Sequence, residues 1–198
     1  CNVFFYEVGY RLSTMNGSYD EQAGLSYLKK YGAMVGLTET SGVEVEEYSP
    51  LFSTTNPVPS AIGQGSHSFT SVQLARYVNT IASDGTNYEL TLIKDIKKIN
   101  GESKTLPEKK VTQVEASTET INLVQTGMLE AAKTYGGIRN LSYSVGGKTG
   151  TAQESANSPD HALMIAFAPY DDPEVSVSVT IQNGYSSSYA SQLTGDVL

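Results

Sequence analysis

Nine consecutive residues, Val145-Gly146-Gly147-Lys148-Thr149-Gly150-Thr151-Ala152-Gln153, hold the groups best suited to chemistry. They place an ammonium (Lys148) and two hydroxyls (Thr149, Thr151) around a glycine (Gly150). Such donors suit a carboxylate, or the negative charge that develops on an oxygen during a reaction. Gly150 has no Cβ, so a ligand backbone can approach closely enough to pair with the chain, as a guest strand does. β-compatible residues lead in (Leu141, Tyr143, Val145) and a second such run begins at His161. The stretch therefore predicts an edge strand against which something lies. Lys-Thr-Gly by itself is a weak signal, and in isolation reads as a strand with a glycine bulge and a surface lysine.

Other chemistry-bearing residues make poorer sites. His67 and His161 belong to no metal-ligand pattern such as H-E-x-x-H, and both read as structural, so no metal or cofactor is expected. Asp171 and Asp172 could pass for paired catalytic carboxylates, but Pro173 beside them predicts a turn. Ser26-Tyr27-Leu28-Lys29 has the S-x-x-K spacing of a nucleophile and its lysine. It falls inside a predicted helix and reads as a surface pair. The single Cys1 permits no internal disulfide.

The elements that must position the Lys148 stretch can be read from pattern. Val3, Phe4, Tyr6, Val8 and Leu12 predict a buried helix from Asn2 to Leu12, interrupted by Gly9. Asp20 predicts the cap of a second helix to Tyr31, with Ala23, Tyr27 and Leu28 inward and Gly32 ending it. Residues 36–59, rich in Gly, Ser, Thr and Pro, predict an extended loop. Thr70-Ser71-Val72-Gln73 is a capping box, and Val72, Leu74, Ala75, Val78, Ile81 and Ala82 follow at helical spacing. Leu90, Leu92, Ile93 and Ile96 predict a strand or hairpin arm over Tyr88–Ile99 ending at Asn100-Gly101, with a second strand at Lys109–Val114. Ser117 caps a helix through Lys133 built on Ile121, Val124, Met128, Leu129 and Ala132. Three strand signals then follow in series (Lys148, Leu163–Ala168, Val175–Gln182), and a helix begins near Ser188. The predicted class is α+β, with an antiparallel sheet packed with helices.

Composition narrows the function. The 198 residues are 39% hydrophobic and 17% charged, which predicts one ordered domain and not a disordered chain. Net charge is -8 with no lysine or arginine run, so nucleic acid and anionic membrane surfaces are poor partners. No apolar run approaches the roughly 18 residues of a membrane span. The chain opens without an initiator methionine, directly in an apolar helical pattern, and is expected to be a piece of something longer.

Taken together these segments resemble the transpeptidase domain of class B penicillin-binding proteins over nearly the whole chain. Lys148-Thr149-Gly150-Thr151-Ala152-Gln153 is similar to the family's K-T-G-T-A-Q strand. Gly63-Gln64-Gly65 with Thr70-Ser71-Val72-Gln73-Leu74-Ala75 resembles its G-Q-G and T-P-x-Q-L-A segment, with Ser71 where the proline usually stands. Cys1-Asn2 and the helix after them resemble the S-x-N motif, its serine lying just before position 1. The resemblance implies the C-terminal part of a penicillin-binding/serine β-lactamase-like fold. On it, residues 1–198 are a partial transpeptidase domain that begins inside S-x-N, lacks the S-x-x-K region and stops within the C-terminal helix.

Roles follow by resemblance alone. Lys148 would face the nucleophile and lend positive potential. Thr149 and Thr151 would hydrogen-bond the carboxylate of a D-alanyl-D-alanine stem peptide or of a β-lactam, beside Gly150, and the Thr151 N–H would form half of an oxyanion hole. Asn2 would touch the substrate amide and orient the catalytic lysine, though it also reads as an ordinary helix-start residue. The implied parent is a peptidoglycan D,D-transpeptidase anchored at the extracytoplasmic face of the bacterial membrane, and its missing N-terminal part is the first partner expected. A serine β-lactamase, D,D-carboxypeptidase or β-lactam sensor domain shares this fold, and the G-Q-G and Q-L-A segments argue against these. Without its serine the piece itself would bind or scaffold and not react.

Overall fold

Caps and breakers start the helices where the sequence predicts. The computed structural model describes residues 2–198; Cys1, expected as the middle residue of an S-x-N motif, lies outside them. In chain order the elements are α1 (Asn2–Thr14), α2 (Glu21–Met34), α3 (Pro57–Ser60), α4 (Ser71–Ala82), β1 (Thr86–Glu89), β2 (Asp95–Lys97), β3 (Ser103–Thr105), β4 (Lys109–Gln113), α5 (Thr118–Ala132), β5 (Gly146–Ala152), β6 (His161–Ala168), β7 (Val175–Ile181) and α6 (Ser187–Val197). Asp20 caps α2, Ser117 caps α5, and Thr70 with Gln73 forms the full capping box of α4.

The sheet that carries Lys148 is three antiparallel strands in the order β5-β6-β7. Its register pairs Lys148 with Ile165 and Gly150 with Leu163, then Ile165 with Ser178 and Leu163 with Thr180. Paired residues share a face. One face joins Gly147, Thr149 and Thr151 to Ala162, Met164, Ala166 and Val177, Val179, and packs with Ala190 of α6, Ala132 and Ile138. The opposite face joins Lys148 and Gly150 to Leu163, Ile165 and Phe167. Val78 and Ile81 of α4 cover Phe167 there. Ser71 and Asn79 of α4 also hydrogen-bond Thr180 and Ser176 at 3.2 and 3.4 Å. α4 thus lies over β6 and β7 and leaves Lys148 exposed.

Several expectations need correction. α1 was expected to bury its apolar residues, but Val3 and Phe4 are 74% and 63% exposed and its buried positions are Gly9 and Ser13. Small residues make the contact because the chains come so close: a Cβ on Gly9 would stand 2.9 Å from Val58 Cα. The inner face of α2 centres on Gly24 and Leu25, with Tyr27 and Leu28 half-buried. α2 also continues past Gly32 to Met34, and the missing Cβ of Gly32 makes room for the Phe52 ring. The loop of residues 36–59 contains the start of α3, and Leu51 bridges Ser68. The strand expected over Tyr88–Ile99 breaks after Glu89: Leu90 N–H bonds Ser41 O at 2.8 Å, and Glu44 accepts Leu92 N–H at 2.9 Å. β1 pairs with β4, while β2 and β3 form a separate exposed hairpin.

α4 is also buried on a polar side that hydrophobic periodicity does not reveal. Arg76 is 1% exposed. Its Nε donates to Asn87 Oδ1 and Tyr88 O at 2.9 and 2.8 Å, and its other nitrogens donate to Thr40 O and Glu39 Oε1 at 2.9 and 3.2 Å. One guanidinium therefore ties α4 to β1 and to the loop before it. Arg76→Leu removes all four bonds and leaves the buried Asn87 side-chain carbonyl oxygen without its guanidinium donor, and is expected to lower the unfolding free energy by about 3 kcal/mol in urea denaturation. A loss under about 1 kcal/mol would show that the network adds little.

His67 is structural, as read. Its Nδ1 accepts the Ser53 N–H at 3.0 Å and its Nε2 meets Ser60 O at 3.3 Å, which assigns the proton to Nε2. Burial holds its pKa below the ordinary 6.5, against the opposing pull of the Ser60 carbonyl. The unfolded chain therefore takes up the proton first as pH falls, and stability is full above 6.5 and declines below it toward the depressed folded value. Between pH 7.5 and 5.5, Tm of the native chain should fall more steeply than that of His67→Gln; equal slopes contradict this role.

Candidate active site

β5 owes its placement to the residues on either side of it. A Cβ on Gly146 would come within 2.4 Å of the Phe167 ring, and one on Gly147 within 3.0 Å of Met164 Cε. These two glycines seat the start of the strand on β6. Gly150 differs: an added Cβ would only meet Leu163 Cβ at an ordinary 3.5 Å, so packing does not require glycine there. Its bare backbone leaves the strand open to close approach at that point.

The second edge of β5 has no strand beside it among the described residues. Thr149 N–H donates to the Tyr135 hydroxyl at 3.5 Å, and Thr149 O accepts from Lys148 Nζ at 2.8 Å. Both groups therefore point away from β6. Backbone groups alternate in direction along an antiparallel strand, so Thr151 also turns its N–H and C=O to the open edge. A backbone N–H so aimed can meet a carbonyl or oxyanion.

The structure brings Lys148, Thr149, Gly150 and Thr151 together on one strand, with Lys148 and Thr151 exposed and the other two half-buried. Asn2 is the exposed first residue of α1, which packs on α2 and α3. Tyr135 is the residue that the sequence concealed. An aromatic between a helix end and Gly136-Gly137 carries no motif, and only the fold sets its hydroxyl on β5. Ser26 and Lys29 lie exposed in mid-α2. His161 bonds Glu154 and the Asn183 N–H, each at 3.0 Å, and among the described residues no group of three His, Cys, Asp or Glu could hold a metal.

A helix-covered antiparallel sheet with an open Lys-Thr-Gly-Thr edge strand defines the penicillin-binding type of transpeptidase fold. Solved structures agree. Penicillin-binding protein 2B from Streptococcus pneumoniae strain R6 superposes with a TM-score of 0.80 at 21% identity, over 99% of this chain and 36% of that one. The imipenem acyl-enzyme complex of penicillin-binding protein A from M. tuberculosis gives 0.79 at 21%, over 100% and 45%. The chain belongs to the penicillin-binding protein transpeptidase domain family, which matches residues 1–198. Among curated relatives, peptidoglycan D,D-transpeptidase PbpA of Mycolicibacterium smegmatis is 32% identical over 93% of this chain, and penicillin-binding protein 2A of Bacillus subtilis is 25% identical over 91%. The chain spans 37% and 29% of their lengths.

The glycines separate packing from binding. Gly146→Ala is expected to cost about 2 kcal/mol of stability through its clash with Phe167. Gly150→Ala should unfold within about 0.5 kcal/mol of the native chain while losing ligand affinity. Thermal melts and a ligand titration on both variants measure this; equal destabilisation of the two would contradict it.

Proposed function

We propose that these residues are the substrate-binding part of a peptidoglycan D,D-transpeptidase, which cross-links stem peptides through an acyl-serine intermediate and binds β-lactams. The observation that carries this reading is the open edge of β5, where Lys148-Thr149-Gly150-Thr151 combines an outward Thr151 N–H with an exposed ammonium. In this reading the guest is the D-alanyl-D-alanine end of a stem peptide, or a β-lactam in its place. The Thr149 and Thr151 hydroxyls take the carboxylate, the Thr151 N–H supports the oxyanion, and Lys148 supplies positive potential. Asn2 orients the substrate amide once the rest of the domain is present. The named activity of the M. smegmatis relative and the imipenem acyl-enzyme of the M. tuberculosis protein support the choice of substrate and inhibitor.

The attacking serine comes from outside residues 1–198, and the isolated chain binds without reacting. We assign the reaction to the extracytoplasmic face of the membrane, with the parent anchored through a segment N-terminal to these residues. Among the described residues no helix is long and apolar enough to cross a membrane.

Labelling with a fluorescent penicillin tests the reading. The parent protein should be acylated and retain its label, and Lys148→Ala should slow acylation by about 100-fold. Ser26→Ala should leave the rate unchanged, and the isolated chain should take no label. Labelling of the isolated chain that disappears with Ser26→Ala would overturn the assignment of the nucleophile. Rapid loss of label from the parent would mark a β-lactamase instead.

A further inference from the structure

The Tyr135 hydroxyl and the Lys148 ammonium between them occupy both outward backbone groups of Thr149, its N–H at 3.5 Å and its carbonyl at 2.8 Å. Among the described residues Thr151, two residues along, keeps its outward pair without such a partner. A guest backbone needs a free N–H and C=O with which to pair. β5 offers that pair at Thr151 and withholds it at Thr149.

Tyr135 is held in place for this task. Its ring packs against the core that contains Ala132, Ile138 and Met164. Its carbonyl accepts the N–H groups of Ile138 and Arg139 at 3.2 and 3.0 Å. The turn that follows is fastened to α6, where Gly137 N–H donates to Ser191 Oγ at 3.2 Å. That approach is so close that a Cβ on Gly137 would lie 2.1 Å from Ser191 O. A hydroxyl oxygen that has accepted an N–H becomes a better donor through its own proton. Among the described residues the Tyr135 hydroxyl donates to no acceptor.

We infer that Tyr135 is a specificity-determining residue of this site: it closes the β5 edge at Thr149, so that a guest running antiparallel to β5 pairs at Thr151 and must end there, and it offers its O–H to the carboxylate on which the guest ends. The inference rests on the transpeptidase reading above and deepens it. It explains how an open strand edge selects the end of a peptide over an internal segment. A continuing guest would need the Thr149 pair that the protein's own side chains have taken, whereas a terminal carboxylate needs only donors.

The test is a titration of the parent protein, its nucleophilic serine replaced by alanine so that it binds without reacting, followed by the Thr149 and Thr151 amide signals in NMR. The two probes are a stem peptide ending in D-alanyl-D-alanine and the same peptide as its C-terminal amide. With Tyr135 in place the protein should bind the carboxylate form more tightly, and Tyr135→Phe should shrink that preference by about tenfold while affinity for the amide form is unchanged. Hydrogen exchange at the Thr149 amide should accelerate in Tyr135→Phe, with the β6 amides unaffected. A carboxylate preference that survives Tyr135→Phe, or an equal weakening of both peptides, overturns the inference while the substrate reading stands. A protein with Tyr135 in place that binds neither peptide contradicts the substrate reading and the inference with it.

Discussion

Burial of β6, complete on its α6 side and partial on its α4 side apart from Phe167, is the constraint from which the site follows. Ala162, Ala166 and Phe167 are inaccessible and Met164 nearly so, hence every backbone group of the strand must be matched within the sheet. β7 matches one side and β5 the other. β5 is thereby held in register over its whole length without being enclosed. Its second edge is ordered and has no strand beside it among the described residues.

The cover over β6 depends in turn on where α4 is fixed. Its apolar side supplies Val78 and Ile81 to the sheet, and its polar side sinks Arg76 among Glu39, Thr40, Asn87 and Tyr88. A buried ion is weak evidence for net stability, since its desolvation offsets much of what its partners return. Here the planar fork of donors has geometric value, because it accepts one arrangement of β1 and the preceding loop. The sheet face next to α4 is therefore bounded at β6 and β7 and open at Lys148.

Local chemistry was legible in the sequence and long-range packing was not. Asp20, Thr70 with Gln73, and Ser117 announce helix starts because a cap is satisfied within four residues. The strands β5, β6 and β7 were legible for a related reason, as turn residues separate runs of β-formers. Arg76 could not be read this way, since its partners lie up to 37 residues distant and periodicity treats arginine as solvent-facing. Gly9 and Gly32 misled for the opposite reason: as helix breakers they weaken a pattern, yet at each a neighbour presses too close for a side chain. Leu90 to Ile96 alternated like a strand, but Glu44 and Ser41 captured the backbone first. At the site the motif residues were evident and Tyr135 was not, because its role is a hydrogen bond to backbone, which leaves no trace in composition.

An ordered, unoccupied strand edge is also a hazard, since a second copy of the same strand is always its best-matched guest. The position of Lys148 bears on this. Two β5 strands laid side by side would bring two ammonium groups into one sheet, and each would have to give up the carbonyl it now bonds in Thr149. The exposed ammonium beside the edge thus counts against a second copy of itself, and the chain can keep a strand edge open without seeding a fibre.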